Sequence, residues 1–177
     1  MSKLKVISFF AGPGSGKSTL AASLFALMKR QRFSVELVTE YAKDLTYLGR
    51  WDLLANQRHV LETQASRQSM LIGQVEWAIT DSPLALSIVY DRESDPKLRV
   101  YTQQLWDRYE NYPFLLQRTG RPYVREGRRQ TLDEAQSLDR RIHELGQEFG
   151  ATEWIDPDQS WVASRVLARL IQGGSNG

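Results

Sequence analysis

A chain of 177 residues suits one compact domain, able to bury roughly two-thirds of its unfolded surface without a metal or disulfide staple. It contains no cysteine, which excludes disulfides and thiolate zinc sites and fits a reducing compartment such as the cytoplasm. The formal net charge of +2 is too small to argue for nucleic acid from bulk electrostatics, and no apolar run approaches the ~18 residues of a membrane span.

The first apolar run, Lys5–Phe10, is almost uninterrupted, as in a strand buried on both faces. With Lys3 and Lys5 before it, it has the outline of a secretory leader. It runs straight into a glycine-rich loop instead of a cleavage site, so it reads as a strand. That loop is Ala11-Gly12-Pro13-Gly14-Ser15-Gly16-Lys17-Ser18-Thr19. It matches the phosphate-loop pattern, with Ala11 in the first glycine position. Glycines let backbone amides converge on phosphate oxygens at a helix N-terminus. Residues Gly12, Pro13, Gly14, Ser15, Gly16, Lys17, Ser18 and Thr19 are therefore predicted to bind ATP. Lys17 sets a point charge against the β- and γ-phosphates, and the Ser18 hydroxyl offers a hard oxygen to Mg²⁺.

Leu20, Leu24, Leu27 and Met28 then mark one face of a helix. A second strand is predicted over Phe33–Thr39. It is followed by Glu40, Tyr41 and Asp44, where side chains at a strand's carboxyl end face the crevice. Glu40 or Asp44 is a candidate base for a substrate hydroxyl, and Tyr41 a candidate stacking platform. A long helix is predicted from Arg50 to about Gln74, with Arg50, Arg58 and Arg67 as positive charge for an acceptor groove. The third strand, Glu76–Thr80, leads to Asp81-Ser82-Pro83. Asp81 at this strand end is predicted to reach the Mg²⁺ shell with Ser18. Many ATPases place a water-activating glutamate after this aspartate, and here Ser82 stands instead.

A fourth strand, Pro113–Gln117, precedes the segment Arg118–Arg129, which carries five arginines and one acid. Gly120 and Gly127 bracket it like hinges. An arginine-rich lid of this kind neutralises charge on a transferring phosphoryl group, worth ~10³–10⁵ in rate. Arg121, Arg125 and Arg128 are the candidate catalytic arginines, and Arg118 a candidate substrate contact. Thr131 and Glu134 read as a capping box opening a helix with Ala135, Leu138, Ile142, Leu145 and Phe149 on one face. A fifth strand at Thr152–Ile155 and a helix opened by Pro157, with Val162, Val166 and Leu170, complete one domain over 1–172. Residues 173–177 form a tail. His59 and His143 lie outside any ligand spacing and read as surface or helix-packing residues.

The βαβα rhythm implies α/β architecture with a parallel sheet between helix layers. The loop AGPGSGKST, with VELVTEYAKDL, WAITDSPL and the arginine-rich segment before TLDEAQSLD, resembles small P-loop kinases of bacteriophages related to thymidylate and other nucleotide kinases. The resemblance covers roughly residues 3–155. It implies an adenylate-kinase-like three-layer core with five strands in the order 2-3-1-4-5, and a lid at 118–129. It also implies ATP and Mg²⁺ as cofactors. One branch of the group phosphorylates 5-hydroxymethyluracil already in phage DNA, and others act on free deoxynucleotides. Both acceptors stay open, as does the choice between monomer and dimer. The Asp-Arg pair of thymidylate kinases is Asp81-Ser82 here, against ordinary thymidylate recognition. The alternative reading is a P-loop ATPase switch. No Asn-Lys-x-Asp base-reading motif points to a GTPase.

Overall fold

The computed structural model describes residues 2–120, 122, 123 and 130–173. Five strands, β1 Lys5–Phe10, β2 Val35–Val38, β3 Trp77–Thr80, β4 Glu110–Leu116 and β5 Trp154–Ile155, form one sheet in the order β2-β3-β1-β4-β5. Every pairing is parallel. This is the expected strand order.

The period of two in β1 sorts its side chains into two cores. Ile7 and Phe9 pack with Leu20, Leu24 and Met28 of α1 (Lys17–Arg30) and with Val162, Val166 and Leu170 of α8 (Val162–Gly173). Val6 and Phe10 face the other layer. It is built from α4 (Gln57–Ser69), α5 (Leu86–Tyr90), α6 (Pro96–Trp106) and α7 (Leu132–Glu148). Among the described residues no helix is long and apolar enough to cross a membrane.

β4 starts three residues earlier than predicted and carries Pro113, which lacks a ladder donor. The Leu115 and Gln117 amides donate toward β5, to Glu153 O and Ile155 O. Pro113 has its nitrogen on that same side, but β5 pairs only with Leu115 and Leu116. The proline therefore removes no hydrogen bond from the sheet.

The predicted long helix from Arg50 is two helices, α3 (Trp51–Ala55) and α4. Asn56 breaks it. Its backbone is extended at φ −82° and ψ 90°, and its side chain accepts from the His59 amide at 3.0 Å. Asparagine competes for backbone amides in this way, so it starts a new helix better than it continues one. The helix predicted to open at Pro157 starts only at Val162. The Asp156 carboxylate accepts from the Asp158 amide, which holds a turn there instead. The capping box at Thr131 and Glu134 forms as read, with both reciprocal bonds present.

Candidate functional site

The carboxyl ends of β1 and β3 bring the phosphate loop and Asp81 together. Gly16 takes φ 86°, a left-handed conformation that favours glycine, and it is the N-cap of α1. The first turn of α1 contains no acid, so its amide-rich end is open to an anion. Lys17 Nζ donates to the carbonyls of Ala11 at 2.8 Å and Gly12 at 3.0 Å. It thus lies along the loop it serves.

Ser18 Oγ donates to Asp81 Oδ2 at 2.5 Å. Asp81 is buried, and its second oxygen, Oδ1, has no hydrogen-bond partner among the described residues. A buried carboxylate oxygen without a donor is costly. A hydroxyl and a carboxylate in contact, with one oxygen lacking a partner, are the hard donors that Mg²⁺ takes. The residues present therefore fit that ion.

A cavity of about 210 Å³ runs from the phosphate loop across to α4 and α5. Glu40 lines it beside Lys17 and Ser18. Glu40 is the N-cap residue of α2 (Tyr41–Tyr47), yet its side chain makes no capping bond. Its corner is fixed by Gln64, a buried residue of α4. Gln64 Oε1 accepts from the Tyr41 amide at 2.9 Å and Nε2 donates to Thr39 O at 3.2 Å. Tyr90 also lines the cavity, and burial, with Glu40 nearby, pushes its phenol pKa up.

Three predicted substrate residues lie elsewhere. Tyr41 and Asp44 are not part of the cavity wall. Tyr41 Oη meets His59 Nε2 at 3.0 Å, and Asp44 accepts from Arg67 at 2.6 Å. Both residues tie α2 to α4. Arg118 is engaged by Asp139 of α7 in a two-toothed ion pair, with bonds of 2.6 Å and 3.0 Å. It also donates to Pro13 O at 2.9 Å. Arg118 thus braces the phosphate loop from behind. Arg121, Arg125 and Arg128 lie outside the described residues, as does most of the predicted lid.

Asp139 is the site residue that the sequence reading missed. Its Oδ1 also accepts from the Gly12 amide at 3.1 Å. The Tyr123 ring lies against Gly14, and its hydroxyl donates to Gln130 O at 2.9 Å. Gly12, Pro13 and Gly14 are therefore each held by a residue from beyond β4. Gly12 is needed here for space. A Cβ added to it would stand 2.2 Å from Asp139 Oδ1 and 2.9 Å from the backbone oxygen of Ala135. Gly12→Ala is expected to push α7 off the loop and cost about 2 kcal/mol or more, as overpacking does. Urea unfolding checks this, and an unchanged midpoint would mean that α7 does not press on the loop in solution.

A strand–loop–helix phosphate site, an acid at the next strand end and a 2-3-1-4-5 sheet define a P-loop nucleotide-binding fold of the kinase-like type. The chain belongs to the family described as AAA domain, whose model matches residues 6–165. Among solved structures it is similar to the Mycobacterium tuberculosis APS kinase CysC. A point mutant of that enzyme has 14% identity and a TM-score of 0.51, over 98% of this chain and 99% of that one. The same kinase solved with AMPPNP and APS has 12% identity and a TM-score of 0.53, with the same coverage. At these identities the likeness is one of fold. No curated protein sequence matches the chain.

Proposed function

We propose that this protein is an ATP-dependent phosphotransferase that moves the γ-phosphoryl group to a nucleotide-type acceptor, either a deoxynucleotide or 5-hydroxymethyluracil in DNA. The observation that carries the reading is the single cavity that joins the phosphate loop and the Ser18–Asp81 pair to a second compartment walled by α4 and α5. A nucleotide switch needs only the first compartment, whereas a kinase needs room for an acceptor beside it.

In this reading the amides of Gly14 to Thr19 cradle the phosphates. Lys17 exchanges the loop carbonyls for the β- and γ-oxygens. Ser18 and Asp81 would hold Mg²⁺, which when bound neutralises phosphate charge. An acceptor oxygen attacks the γ-phosphorus, the bond to the bridging oxygen breaks, and ADP leaves. If that oxygen is a hydroxyl, Glu40 takes its proton. Arg121, Arg125 and Arg128 would neutralise the transferring group and help exclude water. Ser82 stands where many ATPases place a water-activating glutamate.

The test is γ-labelled ATP with deoxynucleoside monophosphates, nucleosides, plain DNA and DNA containing 5-hydroxymethyluracil. Label on one acceptor class and slow phosphate release without acceptor are expected. The AAA-domain match gives weight to one other outcome. Rapid phosphate release with no labelled acceptor would make the protein an ATPase and overturn the kinase reading.

A further inference from the structure

The helix arginines suited to an acceptor groove are each matched by a carboxylate, Arg50 by Asp52 at 2.9 Å, Arg58 by Glu62 at 2.9 Å and Arg67 by Asp44 at 2.6 Å. What α4 offers the site comes from its buried face instead. Gln57, Gln64 and Gln68 sit there among Val60, Leu61 and Ala65. A buried carboxamide is costly unless it is bonded. Gln64 is 3% exposed, and the two groups it bonds flank one residue. Thr39 O, at 3.2 Å, belongs to the peptide before Glu40, and the Tyr41 amide, at 2.9 Å, to the peptide after it. One residue of a parallel strand would make the same pair of bonds. The carboxamide makes them just past Val38 and Thr80, where β2 stops pairing with β3. It holds residue 40 as a sheet neighbour would, extended at φ −67° and ψ 117°. Tyr41 is gripped twice more from α4. Its hydroxyl meets His59 at 3.0 Å, and the Arg67 guanidinium stands 5.0 Å over its ring.

Glu40 has a competing place to go. It is the N-cap residue of α2, and the first amides of a helix lack helical partners and attract a carboxylate. No capping bond forms. Gln64 takes the Tyr41 amide itself, and Glu40 stays in the cavity wall beside Lys17 and Ser18. We propose that Gln64 is a positioning residue, a clamp across both peptides of residue 40 that keeps Glu40 at the cavity for proton transfer. A leucine or methionine would fill the same space without needing partners, so packing alone does not call for an amide here. The role given to Glu40 rests on the kinase reading, whereas the hold on residue 40 does not.

Gln64→Met keeps the length of the side chain and removes both bonds. Hydrogen exchange gives the first readout. The Tyr41 amide should exchange about tenfold faster or more in the variant, while the amides of β1 keep their rates. Turnover gives the second, read as label on the acceptors named above or, where none is labelled, as phosphate release. The value of kcat should fall about 10- to 100-fold, with KM changed by less than about threefold. In a Glu40→Gln background the same substitution should cost about twofold or less, because the group that Gln64 serves is already gone. If Gln64→Met fails to fold, Gln64→Asn, one methylene too short to span both groups, carries the same measurements. An unchanged Tyr41 amide, or an equal loss of kcat with and without the Glu40 carboxylate, would overturn the proposal. Coupling seen in phosphate release alone would keep the role of Gln64 and remove the kinase reading. Transfer without coupling would do the reverse. No turnover of either kind would remove both.

Discussion

Asp139→Ala is expected to lower the stability of the protein by about 3 kcal/mol, the lower end of the cost of breaking one side of a buried ion pair, because this pair is only partly buried. The side chains of Arg118 and Asp139 are only 15% and 16% exposed. Removing the carboxylate leaves a guanidinium in that space with one remaining acceptor among the described residues, Pro13 O, and takes the acceptor from the Gly12 amide as well. For a domain of this size the melting temperature should fall by roughly 10 °C. A second variant separates charge from packing. Replacing both partners with apolar residues, Arg118→Met with Asp139→Leu, should recover much of the loss, because no buried charge is then left alone. If Asp139→Ala costs under about 1 kcal/mol, the pair acts like a surface salt bridge and does not hold the loop. The loop should also pay in binding. ATP affinity in Asp139→Ala is expected to fall even where the fold survives, since three consecutive loop residues are set by this contact and its neighbours.

This brace also shows where sequence reasoning reached its limit. The phosphate loop was legible because its chemistry is local, with glycines, lysine and hydroxyl inside nine residues. The strands were legible because a sheet covered on both faces needs near-continuous apolar runs, as in Lys5–Phe10. Their order came with the resemblance. By contrast, Gly12 and Asp139 are 127 residues apart, and nothing in either segment names the other. Asp139 falls on the polar side of a clear helical stripe, where a carboxylate ordinarily means solvent. Arg118, next to other arginines, drew a ligand-binding reading for the same reason. It is the carboxylate reaching down from α7 that turns it toward the loop.

Other misses had local signals. α6 opens with Asp95 as N-cap, accepting from the Lys97 amide, and with Pro96 in its first turn. That pair marks a helix start. Asn56 marks another. Ser87 and Tyr90, which line the cavity, sit on α5, a helix of one turn and a half that shows too little period to be read.

Asp81→Asn is expected to reduce turnover by about 10²–10³ while changing stability by no more than ~1 kcal/mol. The two effects separate because the two oxygens of Asp81 do different things. Oδ2 accepts from Ser18, and the amide oxygen of asparagine can do the same. Oδ1 has no protein partner among the described residues, so the folded chain loses no bond there. What disappears is the negative charge. Removing one preorganised electrostatic group from a water-poor site costs about 2.7–4 kcal/mol of barrier, which gives the expected fall in rate. A binding measurement makes the argument independent of the acceptor. At Mg-ATP a hundredfold above its dissociation constant, the native protein gains about 2.7 kcal/mol, visible as a higher melting temperature. If Asp81 holds the cation, Asp81→Asn should lose most of the Mg²⁺-dependent part of that gain and keep the part given by ATP with chelator. Equal Mg²⁺-dependent shifts in both proteins would show that the cation is held elsewhere. Oδ1 would then be a buried oxygen without a function, and the Ser18–Asp81 contact a structural link between β3 and α1.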